Sequence, residues 1–211
     1  MGSGLRRWAC AFGALAFAFV PASPQVIEFD SGGLHYKTLT KNGFTVMFAV
    51  LPAHVRHWAV LQVSVANGSS LPWVIKPEDF SYQKEDGEVV QASDAGDVVD
   101  SLLAKAGRGD VIRLVTTYEA GIYGNSRLRS TNGYEARRRD ALAEVSSAKL
   151  KAAAAASAIV LVNTRLSPGE STDGAVFLAS AGKTLGPGKL VVHAAAETFE
   201  FDSDGLPVSS R

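Results

Sequence analysis

Short apolar runs bounded by turn-forming residues occupy both ends of the chain, and a longer helical spacing fills its middle. Phe44 to Val50 (FTVMFAV) is a compact run rich in β-branched and aromatic residues, preceded by an Asn42-Gly43 turn. Trp58 to Val65 alternates at its end, with Leu61, Val63 and Val65 on one face and Gln62 and Ser64 on the other. That period of two predicts a half-buried strand, ended by the turn Asn67-Gly68-Ser69-Ser70. Trp73-Val74-Ile75 is a short strand confined by Pro72 and Pro77. Phe80 to Gln83 and Glu88 to Gln91 flank Lys84-Glu85-Asp86-Gly87 and predict a hairpin, because Gly accepts positive φ without a Cβ clash. Near the end, Gly174 to Ala179, Leu190 to Ala194 and Thr198 to Asp202 read as strands.

From Asp94 the spacing lengthens. Val98, Val99, Leu102 and Leu103 recur as on a helix, with Asp94 as cap and Gly107 as stop. Asp110 to Tyr123 reads as a second helix despite its β-branched residues. Asn132 and Glu135 fit a capping box that opens one long helix from Tyr134 to about Ala158, rich in alanine, the best helix former. The fold class expected is mainly β with a helical insertion: an antiparallel immunoglobulin-like sandwich plus an inserted helical hairpin at about 94–160.

The first segment changes the picture. Arg6 and Arg7 precede thirteen uncharged residues, Trp8 to Val20, followed by Pro21-Ala22. A basic start, a short apolar run and small residues predict a signal peptide at 1–22, too short for a membrane span of about 20 residues. The mature domain, 23–211, then begins near Ser23. The 211-residue chain balances 21 basic against 21 acidic residues, so no global field points to nucleic acid. Loss of Arg6 and Arg7 leaves 19 against 21, a formal −2. Cys10, the one cysteine, leaves with them, so no thiol nucleophile, disulfide or thiolate metal site is expected in the mature domain. No other stretch reaches 18 apolar residues, and no transmembrane helix is expected. The expected location is outside the cytosol: periplasmic, cell-surface or secreted.

The stretches LQVSVANGSSLPWVIKPEDFSYQKEDGEVV (61–90) and SPGESTDGAVFLAS (167–180) carry a resemblance. Their order of Asn turn, proline-flanked strand, Gly-tipped hairpin and Pro-Gly-Glu turn before a closing strand resembles exported bacterial immunoglobulin-like β-sandwich domains of unknown function. The resemblance covers about half the chain and implies the sandwich. The helical block departs from it, and no catalytic residue is carried over.

Motifs for chemistry are incomplete. Gly182-Lys183-Thr184 has Phe177 where a phosphate loop needs its first Gly, and no helix follows. His54 and His57 share a face only on a helix, and Pro52 and the Trp58 run favour a loop entering a strand. Asp202, Asp204 and Gly205 resemble half of a calcium loop but read as a strand end or tail. Asn67-Gly68-Ser69 matches a glycosylation acceptor that the turn already explains. No metal, cofactor or catalytic residue is expected from these patterns.

The densest charge run gives the candidate binding residues. Arg127, Arg129, Arg137, Arg138 and Arg139, with Tyr134, combine guanidinium forks suited to phosphate or carboxylate with an aromatic that can stack. The alternative is a solvated helix start with pairs such as Glu135 and Arg139 at i,i+4. The leading expectation is an exported non-catalytic binding or structural module. Its helical insertion contacts anionic envelope polymer or a protein partner. The alternatives are a self-assembling envelope protein and a hydrolase of an envelope polymer using unidentified carboxylates.

Overall fold

The computed structural model describes residues 24–52, 58–105, 108–125, 128, 130–143, 148–180 and 185–204. The signal peptide at 1–22 with Cys10, the pair His54 and His57, Arg127, Arg129, the stretch 181–184 and Gly205 lie outside the described residues.

The chain is mainly antiparallel β. Its strands are β1 (Ile27–Ser31), β2 (Leu34–Lys41), β3 (Phe44–Val50), β4 (Trp58–Asn67), β5 (Trp73–Ile75), β6 (Phe80–Lys84), β7 (Val89–Gln91), β8 (Thr164–Leu166), β9 (Ser171–Ala179), β10 (Gly188–Ala194) and β11 (Glu197–Ser203). Among the described residues, four α-helices lie between β7 and β8: α1 (Ala95–Lys105), α2 (Arg108–Gly124), α3 (Tyr134–Ala143) and α4 (Ala148–Ile159). One sheet has the order β1-β2-β3-β4-β9, a second β11-β10-β6-β7, and β5 and β8 pair alone.

Three two-residue turns set the hairpin registers. Gly32-Gly33, Asn42-Gly43 and Ala195-Ala196 all have φ between 46° and 79°. Positive φ at both central residues matches the right-handed twist of the flanking strands. Ser31 therefore faces Leu34, Lys41 faces Phe44, and Ala194 faces Glu197. Gly87, at φ 90°, closes the β6–β7 hairpin in the place expected for it.

Alternation along the strands builds two cores on one sheet. Phe44, Val46 and Phe48 of β3 and Leu61, Val63 and Val65 of β4 face the four-stranded sheet, where they meet Phe80, Leu190, Val192, Phe199 and Phe201. Phe48 and Phe201 meet edge-on at 5.0 Å. Such a pair adds ~0.5–1.5 kcal/mol to the burial of its rings. The opposite face of the five-stranded sheet presents Tyr36, Met47, Ala49, Val60 and Phe177 to Val98, Leu102, Leu114, Tyr118, Ile122 and Ile159 of the helices. The layers are four-stranded sheet, five-stranded sheet, helices.

This arrangement corrects four expectations. β4 is buried on both faces, not one: Gln62 is fully buried and Ser64 is 7% exposed beneath the helices. The alternation was real, but its polar side faces a second core. Among its described residues the insertion has four α-helices rather than a hairpin. The single long helix is divided into α3 and α4, which pack on each other. Small side chains permit that approach, and folding back lets Ala156, Ala158 and Ile159 cover the sheet. Finally, α3 is not opened by an Asn132–Glu135 box. Arg137 N–H bonds Gly133 O at 3.1 Å, and the Tyr134 N–H is met from β9 by Asp173 at 3.2 Å.

Candidate functional site

The chain leaves for the helices and returns from them along the outer edge of β9. Ser93 N–H donates to Phe177 O and Leu161 N–H to Ala175 O, each at 2.9 Å. Gly174 lets Leu161 come close, since a Cβ there would stand 2.5 Å from the Leu161 Cα. Further along, Asn132 N–H donates to Ser171 O at 3.0 Å and Thr172 Oγ1 to Asn132 O at 2.6 Å. These bonds bring the start of α3 over Asp173.

Asp173 is 2% exposed. Its carboxylate accepts from Tyr118 Oη at 2.6 Å, from Ser130 Oγ and from the Tyr134 N–H. A carboxylate at the first turn of a helix also meets the positive end of its dipole. Burial, and then the Asp173 charge, hold the Tyr118 hydroxyl protonated well beyond its ordinary range. Tyr134 is fully buried and its ring stands edge-on to Tyr118 at 5.2 Å. Its hydroxyl donates to Glu119, and burial followed by Glu119 raises its pKa. On the other side of Tyr118, its carbonyl accepts from Gln62 Nε2 at 3.1 Å, and Gln62 Oε1 accepts from Tyr36 Oη at 2.9 Å. Burial pushes Tyr36 up to about 12. The hydroxyls therefore act as donors at neutral pH, and the cluster joins α2 and α3 to β2, β4 and β9. Leaving one such buried group without a partner costs ~1–3 kcal/mol.

The candidate arginines have different fates. Arg137 Nε donates to Ala158 O at 2.9 Å and Nη2 to Asp173 O at 2.7 Å, clamping α3 to α4 and β9. Arg138 Nε lies 3.3 Å from Glu119 Oε1, with its side chain 41% exposed. Arg139 is exposed. Tyr134 is interior and meets Glu119 rather than solvent. Asp173, Tyr118, Gln62 and Ser130 were not singled out from sequence. No local pattern marks them, because β9, α2 and β4 supply one group each from distant positions.

Grooves lie elsewhere, one of them of about 440 Å³ between Lys84, Glu85, Lys189 and Glu200. Another, of about 590 Å³, is lined by Trp73, Asp79, His193, Ala195, Ala196 and Glu197. Asp79 Oδ2 accepts from the Lys76 N–H at 2.9 Å, and burial raises its pKa. Glu197 Oε1 accepts from Asn42 Nδ2 at 2.6 Å. A further groove, of about 380 Å³, runs beside β1 and β2 and is lined by Glu28, His35, Lys37, Phe48 and Asp204. Asn67, the glycosylation candidate, is 1% exposed. Its Nδ2 donates to Leu71 O and Leu166 O, and its Oδ1 accepts from Ser69. Among the described residues, no His, Cys, Asp or Glu group is arranged to hold a metal ion, and no helix is long and apolar enough to cross a membrane.

Comparison with models of known families, with curated proteins and with solved structures finds no match to this chain.

Proposed function

We propose that the chain is an exported, non-catalytic binding or structural module. In this reading its two larger sheets form an immunoglobulin-like sandwich, and the outer side of its helical layer contacts anionic cell-envelope material. Two antiparallel sheets facing one core support the sandwich. The basic start and uncharged run at 6–20 support export. The observation that carries the contact is the way α3 is held. Its inner side is fixed by Asp173 and Arg137, so Arg139 projects from a rigid base with the half-exposed Arg138 beside it.

The test is retention of the full chain on immobilised inorganic polyphosphate, with uncharged dextran as control. Arg138→Ala/Arg139→Ala should weaken retention roughly threefold to tenfold, as expected for two exposed charge pairs at ~0.2–1 kcal/mol each. The thermal melt should move only by the ~0.2–1 kcal/mol of the partly exposed Arg138–Glu119 pair. Retention should also fall with salt. Arg137→Ala is unsuitable as a probe because it removes a structural clamp. Unchanged retention of the double variant removes the arginines from the contact.

A further inference from the structure

We propose that the outer edge of β1 is a docking site for an extended basic segment of a protein partner, which adds to the five-stranded sheet as a sixth strand. The proposal goes beyond the anion-binding reading and uses other residues.

A sheet edge carries unpaired backbone donors and acceptors that template another strand. Three of the four edges of the large sheets are occupied or short. β9 is bonded along its length by Ser93, Leu161 and Asn132. β11 lies against β2, whose lysines bond its outward carbonyls: Lys37 Nζ to Asp202 O at 2.8 Å and Lys41 Nζ to Thr198 O. β7 has three residues, and the Gln91 side chain folds back to Phe80 O at 2.9 Å. β1 has five residues and, among the described residues, ends the sheet with one neighbour, β2.

Register fixes what β1 offers. The two-residue turn makes Ser31 and Leu34 a mutually bonded pair, so Phe29 with Tyr36 and Ile27 with Thr38 are bonded pairs too. The N–H and C=O groups of Glu28 and Asp30 therefore point away from β2. Two donors and two acceptors stand two residues apart, the repeat of an incoming strand. On the helix side, Ile27 is 61% exposed beside Phe29, which stacks on Tyr36 at 5.5 Å. On the other side stand Glu28, paired with Lys37 at 2.9 Å and His35 at 3.1 Å, and Asp30, paired with His35 at 2.8 Å; their side chains are still 46% and 85% exposed, and Asp204 in the adjoining groove adds a third carboxylate against the one lysine. A matching strand alternates apolar residues beside Ile27 and Phe29 with basic residues beside Glu28 and Asp30. A second copy fits badly: antiparallel pairing of two β1 strands about Phe29 sets Glu28 against Asp30 twice, and like charges directly opposite repel.

The test uses the full chain and a ten-residue peptide alternating Lys and Val, followed by calorimetry and amide chemical shifts. Saturable binding with the largest shifts at 27–31 is expected, and a Glu/Val peptide should not bind. Asp30→Pro removes one outward N–H and leaves the β1–β2 bonds in place. It should weaken binding about tenfold, the effect of one lost hydrogen bond near 1.4 kcal/mol. Asp30→Asn, which keeps that N–H, should lose less. Two Lys/Val peptides N-methylated at alternate residues, in the two phases, keep the test independent of how the proline variant folds. One phase should abolish binding and the other preserve it. Equal binding of both phases, or shifts centred away from β1, overturns the proposal. The probe is cationic, so its failure is distinct from failure of the polyphosphate test.

Discussion

Ala195 and Ala196 hold φ of 53° and 59°, in the left-handed region where a Cβ crowds the carbonyl. The two other tight turns use Gly32-Gly33 and Asn42-Gly43 for the same geometry. Ala196 is exposed, and Ala195 packs partly on the core between the two larger sheets, so only one methyl has a packing role. Ala195→Asn/Ala196→Gly should stabilise the protein by about 1 kcal/mol, relief of left-handed strain less the extra freedom of Gly in the unfolded chain. A urea titration reads this as a higher midpoint at constant slope; a lower midpoint would mean the Ala195 methyl outweighs the strain. On the β1–β2 hairpin, His35 Nδ1 lies 2.8 Å from Asp30 and Nε2 3.1 Å from Glu28. Asp30 first, then Glu28, raise the imidazole pKa, while Lys37 first, then His35, lower that of Glu28. The His35 contribution is present below the ordinary histidine pKa of ~6.5 and is lost as pH rises through its higher folded value. The Glu28 contribution is lost as pH falls through its depressed one. The clasp is complete between those limits. An NMR titration should place the His35 midpoint above ~6.5, and Asp30→Asn should lower it.

At the scale of elements, burial on both faces of one sheet decided what the sequence disclosed. β3 reads correctly because a strand buried on both faces is a continuous apolar run, and FTVMFAV is one. β4 misleads because Gln62 and Ser64 resemble a solvent face, yet Gln62 is fully buried and bonded to Tyr36 and Tyr118. β2 escapes notice for a related reason. Leu34 and Tyr36 face the helices while Leu39 faces the other sheet, so its apolar positions change parity within eight residues. β1 is an edge with no fully buried residue, and β8 has three residues, too few for a period. The Asp-Gly hairpin before β7 was readable from its dipeptide. The same dipeptide at Asp173-Gly174 hides the start of β9, Ser171 to Asp173: there Asp bonds Tyr118, Ser130 and Tyr134, and Gly admits the Leu161 backbone. The arginine cluster was legible as charge, but which guanidinium faces outward depends on α3 lying over β9. No spacing along the chain encodes that placement.

At the scale of the molecule, the five-stranded sheet belongs to both cores, so the helical layer and the two larger sheets should unfold together. A sheet whose two faces both lose their cover cannot keep one half native, because residues of opposite parity on β3, β4 and β9 serve opposite cores. Two of the three tryptophans report on the two sides. Trp58 packs on the helix-side core, with its ring edge-on to Phe177 at 6.0 Å, and Trp73 packs on the core between the two larger sheets. Variants that keep only Trp58 or only Trp73, with Trp8 and the other replaced by Phe, allow each side to be followed in urea. Each pair of replacements has its own effect on stability, so the comparison is made within a variant, between its tryptophan emission and its far-ultraviolet circular dichroism. The two signals should coincide in both variants, as for a two-state domain. Asp173→Asn then tests the tie itself. It keeps the size of the side chain but replaces one acceptor oxygen by a donor, so a buried hydroxyl or N–H at α2 or α3 loses its partner, at ~1–3 kcal/mol per group. The expected loss is about 3 kcal/mol, with the Trp58 and Trp73 transitions moving by equal amounts. A shift confined to Trp58 would show instead that the helices detach while the two packed sheets stand, and that the shared sheet does not couple its two faces.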